Sequence, residues 1–312
     1  MLAATVCCAA LLSAVAADSA EAAIVKPSAA TTGVPVGTHL TRHNGNITVT
    51  RAGTRINAMD LYGFLVIKAA NVLVTNSVIR GGVATGGNPG LVSNTWAAAT
   101  NFVLQDSTVV PAHPSVRLDG VRGANYTLTR VDIYGTVDGA KVIGNNVRIQ
   151  NSWIHGLVHY AHDPYQGNGP SHNDAVQVLN GRNVHMTGNA LVGGSNSALQ
   201  ITQGNGVVAG LGFTGNWVDG GGCSVNVADI PLTTMSGITV SYNRFSHTST
   251  FKNCAIIVSN GVHLTAGGNT GVGTNTRVAL TWRASPQLAP TEDVALIRAA
   301  SSAGHARLQT RL

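Results

Sequence analysis

Charge is scarce in this chain: Asp, Glu, Lys and Arg make up 10% of the 312 residues, and aromatic residues only 5%. With 44% hydrophobic residues beside so few charges, the sequence is too apolar to remain disordered. Long apolar runs are missing too. Beyond the N-terminus nothing approaches the roughly 20 residues of a membrane-spanning helix. A tight two-residue turn such as Asn-Gly does not follow every strand, as an antiparallel meander would need. Cysteine is limited to four residues. Two of them, Cys7 and Cys8, fall in an N-terminal stretch (apolar Leu2 to Ala17, then Ala20-Glu21-Ala22-Ala23) that reads as a secretory signal over residues 1–23. The mature protein is expected to be secreted and extracellular, a monomer without a membrane span. Its net charge of +6 favours an acidic partner such as a glycan or cell envelope; a nucleic acid is not expected.

What is abundant is glycine, 37 residues, too many for a helical bundle. A repeat is also present. Phrases of the form Asn/Gly-apolar-x-apolar start at Asn71, Asn101, Asn125, Asn146, Asn183, Gly210, Gly237 and Gly261. They align Val72, Phe102, Tyr126, Val147, Val184, Leu211, Ile238 and Val262 in one column. A second column runs Val74, Leu104, Leu128, Ile149, Met186, Phe213, Val240, Leu264, and a third Ile79, Val109, Ile133, Ile154, Leu191, Val218, Phe245. Period-two alternation argues strand. The uneven spacing, from 21 residues (Asn125 to Asn146) to 37 (Asn146 to Asn183), argues a full coil per repeat with loops of variable length. An all-β, single-domain parallel β-helix over residues 46–283 meets both conditions. Residues 24–45 are expected as an extended lead-in. Residues 284–312 are expected as a tail whose Thr291-to-Gly304 stretch forms a short capping helix.

A further strand aligns in each coil, and its first residues are Asp119, Asp138, Asp174, Ser197, Cys223 and Cys254. On adjacent coils Cys223 and Cys254 would stand about 4.8 Å apart at the strand spacing, within the range a disulfide requires. A Cys223–Cys254 bridge is expected, in keeping with an oxidising compartment. Asn189, Asn216 and Asn243 also align at a turn; they are expected to form a structural ladder and to tolerate left-handed backbone.

The register stacks Asp119, Asp138 and Asp174, with Arg122, Lys141, Gln177 and Gln200 three positions on. Like charges at that spacing repel, so either one acid keeps its proton or a cation sits among them. The first outcome supplies a general acid. The second makes Asp119, Asp138 and Asp174 ligands for a hard cation such as Ca²⁺, the only cofactor expected. A structural Asp-Gly turn is the alternative. The long loop from Ser152 to Asn173 carries His162, Tyr165 and, next to Asp174, His172, a candidate proton shuttle. The insertion Gly81 to Thr100 brings Trp96 as an opposite wall. Gln177, Gln200, His162, Tyr165 and Trp96 are the expected substrate contacts.

At these residues the chain resembles the pectin-lyase-like superfamily, which includes pectate lyases and polygalacturonases, over roughly Asn46 to Trp282. Thr136-Val137-Asp138-Gly139 is similar to the Asn-Thr-Asp phrase of polygalacturonases, and Asn173-Asp174-Ala175-Val176 to their Asp-Asp phrase, with Asn173 and Ser197 where that family has an Asp and a His. Val240 to His247 is similar to a pectate-lyase phrase. The resemblance implies a right-handed β-helix acting on an extracellular, acidic polysaccharide. It points first to β-elimination, with Asp-bound Ca²⁺ and Lys141 or Arg122 as base. The alternatives are inverting hydrolysis by Asp138 and Asp174, or a non-catalytic solenoid that binds a glycan or the cell envelope.

Overall fold

A computed structural model describes residues 25–87, 89–228, 235–252 and 254–283. The expected signal segment and capping helix lie outside the described residues. Every regular element among those residues is a β-strand. One coil shows the plan. Ala140–Ile143 belongs to a second sheet, Val147–Gln150 to a third and Trp153–Ile154 to a first, after which a long loop leads to Asp174 and the next coil. The first sheet has ten strands, from Thr41–Asn44 to Thr270–Gly271. The second and third are joined through Asp174–Thr187, which rounds their common corner. Each strand pairs in parallel with its counterpart one coil away, as in Arg122 with Lys141, Lys141 with Gln177, and Gln177 with Gln200. This is a parallel β-helix.

Alternation explains which side chains enter it. Val147 and Ile149 are buried while Arg148 between them is exposed. Leu104, Leu128, Ile149, Met186, Phe213 and Val240 pair in one inward file, each fully buried. Burial of one such side chain contributes roughly 1.5–3 kcal/mol, so the stack supplies the main cohesion between coils. The file ends differently from the sequence alignment: Ile238 pairs with Leu264 and Val240 with Ala266, two residues later than expected. A slip of two leaves every side chain on the same face, so alternation alone does not detect it.

Polar residues set the corners. Asn71, Asn101, Asn125, Asn146 and Asn183, then Gly210, Gly237 and Gly261, all have φ between 54° and 91°, backbone that Asn and Gly adopt most readily. At the next corner a buried ladder runs between coils. Asn216 Oδ1 accepts from the Asn189 N–H, Asn243 Oδ1 from that of Asn216, and Asn269 Oδ1 from that of Asn243, at 2.9–3.0 Å. Ser152 Oγ takes the same role toward Val131, and Ser107 Oγ toward Ser77. The ladder asparagines themselves are not left-handed, contrary to expectation. That conformation belongs to the preceding residue, Gly188, Gly215, Tyr242 or Gly268, leaving Asn free to point inward.

The solenoid also begins inside the stretch expected as an extended lead-in. Thr41–Asn44 pairs with Met59–Tyr62, but all four of its residues are exposed, so it carries no apolar alternation to read.

Candidate functional site

The second sheet begins each strand at a crowded corner. A Cβ on Gly139 would lie 2.2 Å from Ile154 Cγ2 and 2.6 Å from the Ala175 carbonyl oxygen, and one on Gly120 would lie 2.3 Å from the Gly139 oxygen. Only very small residues fit there, which accounts for the Gly of each Asp-Gly phrase. The residue before it stacks from coil to coil, and Asp119, Asp138 and Asp174 are all buried. In the same file, Cys223 and Cys254 form the expected disulfide, with Cα atoms 4.8 Å apart.

Two of the acids share one cation. Lys141 Nζ lies 2.8 Å from Asp138 Oδ2 and 3.2 Å from Asp119 Oδ2, and an Arg122 guanidinium nitrogen lies 3.3 Å from the same Asp119 oxygen. Asp138 Oδ1 accepts the Asp174 N–H at 2.9 Å. Asn196 Nδ2 donates to both oxygens of Asp174 at 2.8 and 3.1 Å, and Gln177 Nε2 reaches one of them at 3.4 Å. Asp119 Oδ1 is buried without a hydrogen-bond partner. Burial therefore pushes the Asp119 carboxyl up to about 6 despite Lys141, and the Asp138 charge adds to the rise. Burial, with the Asp138 charge next, raises Asp174 well above the carboxylate range, against the hydrogen bond from Asn196. For Lys141, burial acts to lower the pKa, but Asp119 and Asp138 together outweigh it and raise it.

That last direction corrects one expectation. An amine acting as a base must lose its proton at working pH, and Lys141 is instead held as a cation by two carboxylates. The residues do not fit Ca²⁺ either. The cation among the three acids is the lysine ammonium, and the Asp174 oxygens are taken by Asn196, which leaves no shell of six or more oxygens. Among the described residues no group of three His, Cys, Asp or Glu side chains is disposed to hold a metal ion.

Other expected contacts separate. His172 is exposed, between buried Ser171 and Asn173, whereas the acids it was expected to serve are buried. Asn173 is buried and committed: its Oδ1 accepts from Ser171 and Ser195 at 3.0 Å, and its Nδ2 donates to the carbonyls of Val137 and Val158. Trp96 lies beyond the far end of the strand Gly90–Asn94 with Lys68 Nζ 3.8 Å above its ring; it is not a wall beside the acids. Gln200 is buried, its Oε1 accepting from Ser197 Oγ at 3.3 Å. His162 stays in its own loop, with Nδ1 3.3 Å from the Asn168 carbonyl oxygen. Tyr165 does join the two insertions: its hydroxyl donates to the Gly87 carbonyl at 2.8 Å and accepts from Arg117.

Sequence reasoning missed Asn196, Arg117 and a set at the C-terminal end of the face. There a cavity of about 410 Å³ is lined by Asn196, Asn226, Phe251, Lys252, Arg283 and the disulfide. Asn196 directly precedes the aligned Ser197 and was within reach of the alignment. Phe251 sits in a connecting loop, where no period marks it, beside Lys252, which the sequence singled out only as following the Val240-to-His247 phrase.

Fold and site together define a disulfide-stapled parallel β-helix with a buried acid–base cluster under one face. No protein-family model matches the chain, and no curated protein matches it in sequence. Among solved structures, the crystal structure of the Dettilon tailspike protein is similar to it at 13% identity with a TM-score of 0.43, over 75% of this chain. The chain spans about half the length of that structure, 54%.

Proposed function

We propose that this is an extracellular polysaccharide-binding β-helix that takes an extended glycan along the outer face of the second sheet. The observation that carries the reading is the outward file Arg122, Lys141, Gln177, Gln200 and Asn226, in register coil by coil beneath a wall of tied loops. Its repeat of about 4.8 Å is close to the advance per sugar of an extended pyranose chain, so every second unit meets one of the members that are not buried, which stand on alternate coils. Arg122, Gln177 and Asn226 are the partly exposed members. The disulfide supports an oxidising compartment.

A second reading, cleavage, is favoured by Asp174. Burial and the Asp138 charge raise its pKa, and Asn196 and Gln177 hydrogen-bond its oxygens. Hydrolysis by this pair would need both buried carboxyls uncovered, Asp174 to protonate the glycosidic oxygen and Asp138 to take a proton from water. Elimination is disfavoured, because Lys141 is held protonated and a guanidinium such as Arg122 does not deprotonate in proteins.

Affinity electrophoresis through pectate, alginate and neutral glycans tests the binding. At least one glycan should retard the protein, and Gln177→Ala should weaken the retardation. Passage unretarded through every glycan overturns the proposal. New reducing ends without the ultraviolet absorbance of an unsaturated uronate would identify hydrolysis, whereas that absorbance would restore elimination.

A further inference from the structure

Resting on the glycan-binding reading, we infer that the cavity beside the disulfide is a subsite for a sugar unit bearing an anionic substituent, a carboxylate or a sulfate. Three observations point there. The cavity, of about 410 Å³, has two basic side chains in its lining, Lys252 and Arg283, and no acidic one among the described residues. Arg283 is positioned, since its guanidinium donates to Asn226 Oδ1 at 2.9 Å, tying it to the outward file that carries the glycan. Phe251, 65% exposed as a residue, stands at the rim and offers a flat apolar ring of the kind on which a pyranose packs.

The rim is held in place. The Phe251 N–H donates to the Gly222 carbonyl at 3.0 Å and the Thr250 N–H to that of Gly221 at 2.8 Å, while Cys223 and Cys254 join the same two segments covalently. A cavity that presents cations with no carboxylate in its lining favours an anion, and a preorganised rim reduces the ordering that binding would otherwise require. Asn196 lines this cavity and also holds both Asp174 oxygens, so an occupied subsite places the next sugar over the buried acids.

Calorimetric titration of the full, disulfide-intact chain tests this. Three oligosaccharides of equal length serve as probes: an oligouronate, its neutral methyl ester, and a sulfated neutral oligosaccharide. The charged ligands should bind at least about tenfold more tightly than the ester, since hydrogen bonds to a charged group carry that much. Preference for the uronate or for the sulfated ligand names the substituent. Lys252→Gln and Arg283→Gln should each reduce the ratio of charged-ligand to ester affinity, with unchanged thermal midpoints showing that both variants fold. Equal affinity for charged and neutral ligands, or a preference surviving both substitutions, overturns the subsite but not glycan binding. No affinity for any of the three overturns both.

Discussion

Lys141 places one ammonium between two buried carboxylates of adjacent coils, 2.8 Å from Asp138 and 3.2 Å from Asp119. Each acid depends on that cation, because neither has water to turn to. Breaking a buried pair by removing one partner is more damaging than never having built it. Lys141→Met, which keeps the side-chain length, is expected to destabilise the fold by about 3–5 kcal/mol. Urea denaturation measures this directly. A loss below about 1 kcal/mol would show that the carboxylates are neutral without the lysine.

The same cluster sets a pH dependence. Asp119 titrates at about 6 in the fold against its ordinary value of 3.8, so between those limits the folded chain holds a proton that the unfolded chain has released. Stability from this group is fully present below 3.8 and is lost as pH rises through 6. Asp174, also raised, acts in the same sense. Asp106 and Asp219, both lowered, act only below that window, whereas His185, lowered by burial, opposes the two raised acids within it. The thermal midpoint is therefore expected to be higher near pH 5 than near pH 7.5, and Asp119→Asn should shrink the difference. A midpoint that rises steadily from about pH 5 to about 7.5 would contradict the assignment.

Most of the fold was legible because a solenoid writes its register into columns. Ile133, Ile154, Leu191 and Val218 pair as aligned, and Cys223 and Cys254 confirm the register with a covalent bond. The register failed at Leu264, where alternation permits a slip of two and only Asn269, continuing the buried ladder, fixes the phase. In the site, the stacking of Asp138 on Asp174 was legible, but the balance between burial and ion pairing at Lys141 was not. Sequence shows which charges are neighbours; it does not show how completely they leave water. Nor could it direct His172 or Phe251, because loops obey no period.

The disulfide closes a sequence separation of 31 residues between coils that already pair in register. On loop closure alone its removal is expected to cost about 3–4 kcal/mol. Cys223→Ala combined with Cys254→Ala avoids leaving a free thiol, and guanidinium denaturation of that variant should show the loss. An unchanged midpoint would mean that the backbone ladder and the packed Val225 and Ile256 hold these coils without help.

Two asparagine files look alike in sequence and should respond differently to glycine. Asn183 is exposed at a corner with φ 58°, a conformation glycine adopts without strain, so Asn183→Gly should fall within about 0.5 kcal/mol of the parent. Asn216 is fully buried and not left-handed. Its side chain accepts from the Asn189 N–H and from Asn189 Nδ2, and donates to Asn243 Oδ1 and the Met186 carbonyl. Glycine there removes those bonds and strands buried groups in two neighbouring coils at roughly 1–3 kcal/mol each, so Asn216→Gly should cost about 3 kcal/mol or more. Serine, short but polar, should recover part of the loss, since Ser152 fills the same ladder position toward Val131. Denaturant midpoints for the three variants decide the matter. Similar losses for glycine at both positions would mean that the inner file acts through backbone conformation and not through its hydrogen bonds.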